Sequence, residues 1–289
     1  MIKKLLIFSL LSLLVGIISA QEAVYLWQGQ DVKKGDEVTL TPFLADNNTD
    51  GISVIICPGG SYFWLDDTNE GEEVAEWMQS NGISAFVLRY RTAGFGAFFW
   101  HHRKVFKGKQ YPYMLEDAQQ AIQYVKEHSE IYNINPNRLG IMGFSAGGHL
   151  AVMTACFSDK EENAPEFVAA IYPVVTMNEP YVHKRSRRAL LSEKKQNNQI
   201  MCDSLSLENH IPDDCPPVFI VNCIDDETVD YHNSMLLDST LNAKNIDHKY
   251  IQYQTGGHGF GVSEVYGSEE SRVWKYEFLQ WIKDLRFKI

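Results

Sequence analysis

The sequence predicts an α/β fold with a mainly parallel central sheet and helices on both faces. Three observations lead to this prediction: short apolar runs recur along the chain, segments with helical spacing separate them, and Gly, Pro and Asn mark their ends. Strands that are buried on both faces form continuous apolar runs, whereas amphipathic helices repeat with a period of 3.6 residues. Their alternation along one chain is typical of sheets built from strand-helix-strand units.

Each predicted strand is a short apolar run with a defined end. The first, residues 51–60, is rich in β-branched residues and is broken by Pro-Gly-Gly, and the third, residues 139–144, ends directly before a serine. The predicted strands are residues 51–60, 83–91, 139–144, 167–175, 217–224 and 249–254.

The predicted helices carry apolar residues on one face. In the first of them Val74, Trp77 and Met78 share a face, and Asn81-Gly82 is a stop signal. The predicted helices are residues 69–82, 113–132, 232–244 and 269–285.

Two stretches interrupt this alternation, residues 92–110 and 176–214. Both are long, irregular and rich in aromatic or polar residues, and loops of that length commonly form lids or binding loops. The chain has 289 residues, 45% of them hydrophobic, and no repeat or low-complexity linker divides it. We therefore expect one domain over residues 21–289 with two insertions.

The first 20 residues have the pattern of a cleavable export signal. Lys3 and Lys4 precede an apolar run over residues 5–18, and small residues end at Ala20. The run is short for a bilayer span, and no cysteine stands at the cleavage point to take a lipid. We expect a periplasmic or secreted protein with no stable membrane insertion after cleavage.

The chain is acidic, with a formal net charge of −11, and cleavage would remove two further positive charges. Nucleic-acid binding depends on Lys and Arg that neutralise phosphates, so this balance argues against a nucleic-acid partner. The five cysteines form no zinc or redox motif. Cys202 and Cys215 flank a polar loop and could form a disulfide in an oxidising compartment.

The stretch Gly-Phe-Ser-Ala-Gly at residues 143–147 has the spacing G-x-S-x-G. It is either a plain strand-to-helix turn or an elbow that presents Ser145 as a nucleophile, and the strand before it and the helix after it favour the nucleophile. A nucleophilic serine needs an imidazole base, an acid that orients the base, and donors for the oxyanion.

Candidates for the base and the acid follow later predicted strands. Parallel strands gather functional groups at their carboxyl ends. His258 lies between two glycines after the last strand, and Asp225 and Asp226 follow the strand before it. Either aspartate could reach the histidine. The order serine, acid, histidine is the one that the elbow fold requires.

Backbone amides are the expected oxyanion donors. Ala146 follows the candidate nucleophile, and Gly59 and Gly60 follow an earlier strand, where they either admit a substrate oxygen or form an ordinary turn.

The sequence resembles the α/β-hydrolase superfamily, and more narrowly the exported bacterial esterases related to acetyl xylan esterases and feruloyl esterases. The hormone-sensitive-lipase-like and kynurenine-formamidase-like branches are close to it. The resemblance covers about residues 50–285, through CPGGSY, LRYR, EDAQQAIQYV, NINPNRLGIMGFSAGGHLA, DDETVD, NSMLL and GGHGFG.

The resemblance implies an α/β-hydrolase fold with a lid insertion, and Ser145, His258 and Asp226 as nucleophile, base and acid. Asp226 and Val229 match the family pattern D-x-x-V-P, although Asp230 stands in place of the proline, and Ser61 stands where the glycine loop often has a third glycine. It further implies acetyl or hydroxycinnamoyl esters of xylan-type polysaccharides or oligosaccharides as substrates. No metal or organic cofactor is expected.

Aromatic residues near this site are candidate substrate contacts. Trp100 and His101 lie in the first insertion, which either selects a sugar or feruloyl ring or packs as an ordinary lid. Tyr62, at the end of the glycine loop, is a third candidate. An exopeptidase or formamidase on the same triad, and a binding protein without activity, are the alternative functions.

Overall fold

The computed structural model describes residues 22–27, 37–100, 110–158 and 162–285. Within these ranges eight strands form one sheet. They are β1 (Val24–Tyr25), β2 (Thr39–Phe43), β3 (Ser53–Cys57), β4 (Ser84–Arg89), β5 (Leu139–Phe144), β6 (Val168–Ile171), β7 (Val218–Cys223) and β8 (His248–Tyr253).

The sheet is parallel over most of its width. Its order is β1-β2-β4-β3-β5-β6-β7-β8, and β4, β3, β5, β6, β7 and β8 run parallel while β1 and β2 add an antiparallel edge. This arrangement confirms the predicted fold class. The edge strands escape the sequence prediction because β1 has two residues and β2 contains Pro42, which weakens a strand signal.

Helices cover both faces of the sheet. They are α1 (Glu73–Ser80), α2 (Phe95–Phe99), α3 (Tyr113–Glu127), α4 (Ser129–Tyr132), α5 (Ala146–Phe157), α6 (Lys184–Leu191), α7 (Gln199–Ser204), α8 (His232–Ala243) and α9 (Trp274–Asp284). Apolar residues of α3, α5 and α8 pack in one core cluster, and those of α1 and α9 pack in the other. Successive residues of β3 alternate between the two, with Val54 in one and Ile55 in the other.

Three predicted segments differ in detail. A five-residue π-helix, Thr68–Glu72, precedes α1, and the predicted helix 113–132 is divided at His128 into α3 and α4. The insertion 176–214, expected to be irregular, contains α6 and α7. Most residues of α6 are polar or charged, and its apolar residues lie only at its carboxyl end. The spacing of apolar residues therefore does not reveal this helix in the sequence.

The predicted export signal and residues 101–109 of the first insertion lie outside the described residues. Among the residues that the structure describes, no helix combines the length and apolar character of a membrane span. The carboxyl ends of β3, β5, β7 and β8 lead into the four segments that carry the candidate site residues. The parallel sheet thus brings these segments to one edge.

Candidate active site

Ser145 stands at a sharp turn between β5 and α5. Its backbone has φ 54° and ψ −117°, a conformation that L-residues rarely adopt. The Ser145 amide donates to the Ile171 carbonyl at 3.0 Å, and the Val174 amide donates to the Ser145 carbonyl at 3.1 Å. These bonds hold the strained turn and leave the hydroxyl at the end of the strand.

The glycines of the turn are required by close backbone packing. A Cβ on Gly143 would overlap the Gly147 carbonyl, and a Cβ on Gly147 would overlap the Cys57 carbonyl at the end of β3. The spacing G-x-S-x-G therefore permits the start of α5 to pack directly on β5 and β3.

The structure brings Ser145, His258 and Asp226 together in one hydrogen-bonded chain. His258 Nε2 lies 2.9 Å from Ser145 Oγ, and His258 Nδ1 lies 2.7 Å from Asp226 Oδ2. Because the carboxylate only accepts, the network assigns the proton to Nδ1, and Nε2 then accepts from the serine hydroxyl. The side chain of His258 is 14% exposed and that of Asp226 only 1%.

Asp225 and Asp226, neighbours in the chain, accept hydrogen bonds from different groups. Asp226 Oδ1 accepts from the amides of Thr228 at 2.8 Å and Val229 at 2.9 Å, which fixes the carboxylate behind the imidazole. Asp225 faces the histidine loop instead, where it accepts from the amides of Gly256 and Gly257. Of the two candidates for the acid, only Asp226 contacts the His258 ring.

The candidate oxyanion donors separate into two groups. The Gly59 amide donates to Glu70 Oε2 at 2.8 Å, so the expectation that Gly59 donates to an oxyanion is corrected. The Gly60 amide donates to no acceptor among the described residues, and Ala146 begins α5, where the first amides lack intrahelical acceptors. Gly59 still matters sterically, since its Cβ would lie 3.0 Å from that of Ser145.

A model of the BD-FAE family matches residues 43–241, more than half of the chain. The chain belongs to the BD-FAE family. This membership and the fold confirm the resemblance to α/β-hydrolases of the acetyl xylan esterase type.

Two curated relatives and one solved structure are similar to this BD-FAE chain. An acetylxylan esterase from Xylanibacter ruminicola is 32% identical over 227 residues, which cover 76% of this chain and 43% of that protein. Endo-1,4-beta-xylanase B from Butyrivibrio fibrisolvens is 30% identical over 234 residues, covering 78% of this chain and 35% of the relative. The chain thus spans less than half the length of the curated relatives it matches.

The solved structure is an acetyl ester-xyloside bifunctional hydrolase from Caldicellulosiruptor lactoaceticus. It has a TM-score of 0.79 and 28% identity, and the match covers 93% of this chain and 97% of that one. The BD-FAE chain therefore shares nearly its whole fold with this hydrolase.

The BD-FAE site contains buried groups that sequence reasoning missed. The Tyr172 ring lies against the His258 ring, with centroids 4.6 Å apart, and its hydroxyl donates to Glu70 Oε1 at 2.8 Å. Burial raises the pKa of Glu70 to about 7, against the opposing effects of His258 and the Tyr172 hydrogen bond. No motif marks Glu70 in the sequence, because its partners lie at distant positions in the chain.

His183, at the start of α6, is a second group that the sequence did not single out. Its Nδ1 lies 2.8 Å from Ser186 Oγ. Burial lowers its pKa to about 4, and Arg185 and His258 act in the same direction while Asp226 opposes them. His183 therefore stays neutral at pH 7 and lies within electrostatic reach of the triad.

The three predicted substrate contacts have different outcomes. Tyr62 is fully buried, and its hydroxyl bonds to His149 Nδ1 at 2.8 Å, so its side chain is a core residue and not a surface for substrate. Trp100 is 70% exposed and directly follows α2, the helix that also carries the exposed rings of Phe95 and Phe99. His101 lies outside the described residues.

All five cysteines lie in described parts of the chain and all are free thiols, which corrects the suggested disulfide between Cys202 and Cys215. Cys202 donates instead to the Gln196 carbonyl at 3.3 Å. Cys215 is electrostatically coupled to Cys156, and burial raises the pKa of Cys215 to about 12. The helix α7, which carries Cys202, was not expected from the sequence.

Proposed function

We propose that this protein is a serine carboxylic ester hydrolase that removes acetyl or hydroxycinnamoyl groups from xylan-type polysaccharides or oligosaccharides. The observation that carries the proposal is the chain of hydrogen bonds from Ser145 through His258 to Asp226 at a strained elbow. Similarity to an acetylxylan esterase and to an acetyl ester-xyloside hydrolase supports the choice of substrate.

The reaction is a two-step acyl transfer. His258 takes the proton of Ser145 as its Oγ attacks the ester carbonyl, and the oxyanion is held by the amides of Gly60 and Ala146. His258 then donates the proton to the leaving alcohol. In the second step His258 activates a water, which hydrolyses the acyl-enzyme and releases the acid.

Asp226 supplies orientation and charge in this mechanism. Its carboxylate keeps the Nδ1 proton in place, so that Nε2 faces the serine, and stabilises the imidazolium that forms. Removing a triad member is expected to cost on the order of 10⁴-fold in turnover or more, and removing one oxyanion donor about 10²- to 10³-fold.

We further propose that the protein acts outside the cytoplasm, in the periplasm or as a secreted enzyme. The export-signal pattern of residues 1–20 supports this location, as do substrates that are plant polymers too large to enter a cell.

A panel of esters and amides tests the proposed function. It contains p-nitrophenyl acetate, acetylated and feruloylated xylo-oligosaccharides, and the amides p-nitroacetanilide and N-formylkynurenine, with products read by mass spectrometry. We expect turnover of the esters by the wild-type protein and its loss in Ser145→Ala. Equal turnover by Ser145→Ala, or faster cleavage of the amides than of every ester, would overturn the proposal.

A further inference from the structure

The π-helix Thr68–Glu72 holds the glycine loop and the histidine loop at the same time. Glu70, in its middle, is 3% exposed and accepts the Gly59 amide on one carboxylate oxygen. The other oxygen accepts the Tyr172 hydroxyl, which in turn accepts the Gly261 amide at 3.1 Å. One buried carboxylate thus connects the loop of the proposed oxyanion donors to the loop of the proposed base.

A second contact from the same π-helix reaches the residue that directly follows His258. The Asn69 side-chain amide donates to the Gly259 carbonyl at 2.9 Å. The Gly261 backbone also lies so close to the Asn69 carbonyl that a Cβ there would be 2.5 Å from it. The wider turn of a π-helix lets two successive residues, 69 and 70, face the site, and such turns are frequent at functional sites.

We propose that Glu70 is a positioning residue that joins the two loops and places a negative charge beside His258, which favours the protonated imidazole formed during acyl transfer. This inference rests on the proposed esterase function. Both oxygens of Glu70 receive donors, so the site is built for a carboxylate and not for a neutral acid that must itself donate.

A small set of titratable or charged groups surrounds Glu70. The titratable or charged groups that face it are His258, Tyr172, Asp66 and Tyr90. Burial raises the pKa of Glu70 to about 7, while the attraction to His258 opposes the rise. Burying this charge is costly, and a favourable interaction with an imidazolium in the transition state offers a reason for its presence.

Glu70→Gln tests the charge while keeping the size of the side chain and an acceptor for the Gly59 amide. The readout is the pH profile of kcat/KM on p-nitrophenyl acetate. We expect kcat to fall about 10- to 100-fold with a small change in KM, which is the signature of an interaction made in the transition state.

The dependence of this loss on pH separates this role from a merely structural one. Because Glu70 loses its charge as the pH falls through about 7, the loss of kcat in Glu70→Gln should be largest above pH 7 and should disappear toward pH 5. A merely structural role would lower kcat by the same factor at every pH. A loss that does not change with pH, or no loss above pH 7, would overturn the proposal.

Two further variants complete the test. Glu72→Gln removes an exposed carboxylate from the same π-helix and should leave both kcat and its dependence on pH unchanged. Tyr172→Phe keeps the ring against His258 but removes the hydroxyl that connects Glu70 to Gly261, so we expect about a 10-fold loss in kcat. A wild-type kcat in this variant would contradict the proposed connection between the two loops.

The failure of this inference can be told apart from the failure of the proposed function. If Ser145→Ala is inactive and Glu70→Gln behaves as wild type, only this inference fails. An active Ser145→Ala would overturn the proposed function itself.

Discussion

Asp225 and Asp226 are neighbours in the chain, but their carboxylates hold different parts of one loop. Asp226 accepts from the imidazole of His258 at 2.7 Å, while Asp225 accepts from the backbone amides of Gly256 and Gly257 at 3.2 Å and 2.8 Å. One aspartate therefore orients the ring, and the other fixes the backbone that carries it.

This division predicts unequal effects of two matched substitutions. Asp226→Asn should lower kcat by about 10³- to 10⁴-fold, because the amide no longer stabilises the correct tautomer of His258 or the imidazolium. Asp225→Asn keeps one acceptor oxygen for the loop amides, so about a 10-fold loss or less is expected. Steady-state kinetics on p-nitrophenyl acetate measure both. The reverse order of effects would assign the acid to Asp225.

The elbow predicts a steric requirement at Gly147. Gly147→Ala places a Cβ against the Cys57 carbonyl, which is backbone and cannot rotate away, so we expect a loss of about 2 kcal/mol or more in the free energy of unfolding. Gly96→Ala is the control, since its Cβ would approach Trp100 no closer than 3.9 Å and alanine favours the helix α2. Urea unfolding compares them, and equal stabilities would contradict the packing argument.

Buried His149 predicts a loss of stability at acidic pH. Its Nε2 contacts the Leu205 carbonyl at 2.9 Å and its Nδ1 the Tyr62 hydroxyl, so the folded protein holds it neutral. Burial lowers its pKa from 6.5 to about 4, against the Leu205 hydrogen bond. The unfolded chain binds this proton first as the pH falls, so stability decreases between about pH 6.5 and 4, by about 3 kcal/mol in all.

His149→Gln removes this titration while keeping an acceptor for Tyr62 and a donor for Leu205. Urea unfolding at pH 7, 5 and 4 should show a weaker pH dependence in the variant than in the wild type. An identical dependence in both proteins would show that other groups, such as His183, account for the acid sensitivity.

Exposed Trp100 predicts a substrate-dependent effect. If its ring contacts a sugar or a feruloyl group, Trp100→Ala should lower kcat/KM for feruloylated or acetylated xylo-oligosaccharides about 2- to 10-fold and leave p-nitrophenyl acetate unchanged. Ile131→Ala, at a residue 75% exposed in α4 before the amino end of β5, serves as the control. Equal losses on both substrates would favour an ordinary lid.

Local sequence patterns predicted much of the parallel sheet and the meeting of Ser145 with His258. Strand β5 and the glycines of the elbow are encoded within a few residues, so a pattern can find them. The edge strands β1 and β2 depend on pairing with β4, which no local pattern records.

The remaining features depend on contacts between distant segments. Asp225 and Asp226 follow the same strand, and only the path of the histidine loop separates their roles. The sequence predicts Gly59 as a free donor, because its acceptor, Glu70, lies in a π-helix that has no sequence signal. The sequence predicts Tyr62 as a substrate contact, because no local pattern shows that its hydroxyl bonds to His149, 87 residues further along the chain.

Covalent trapping of the proposed nucleophile is the direct test of Ser145 chemistry. The wild-type protein is treated with a fluorophosphonate, its intact mass is measured, and the modified peptide is sequenced by mass spectrometry. We expect one adduct per chain, on Ser145, with ester turnover abolished in proportion to labelling. Complete ester turnover with Ser145 unmodified, or inactivation by an adduct on another residue, would contradict this expectation.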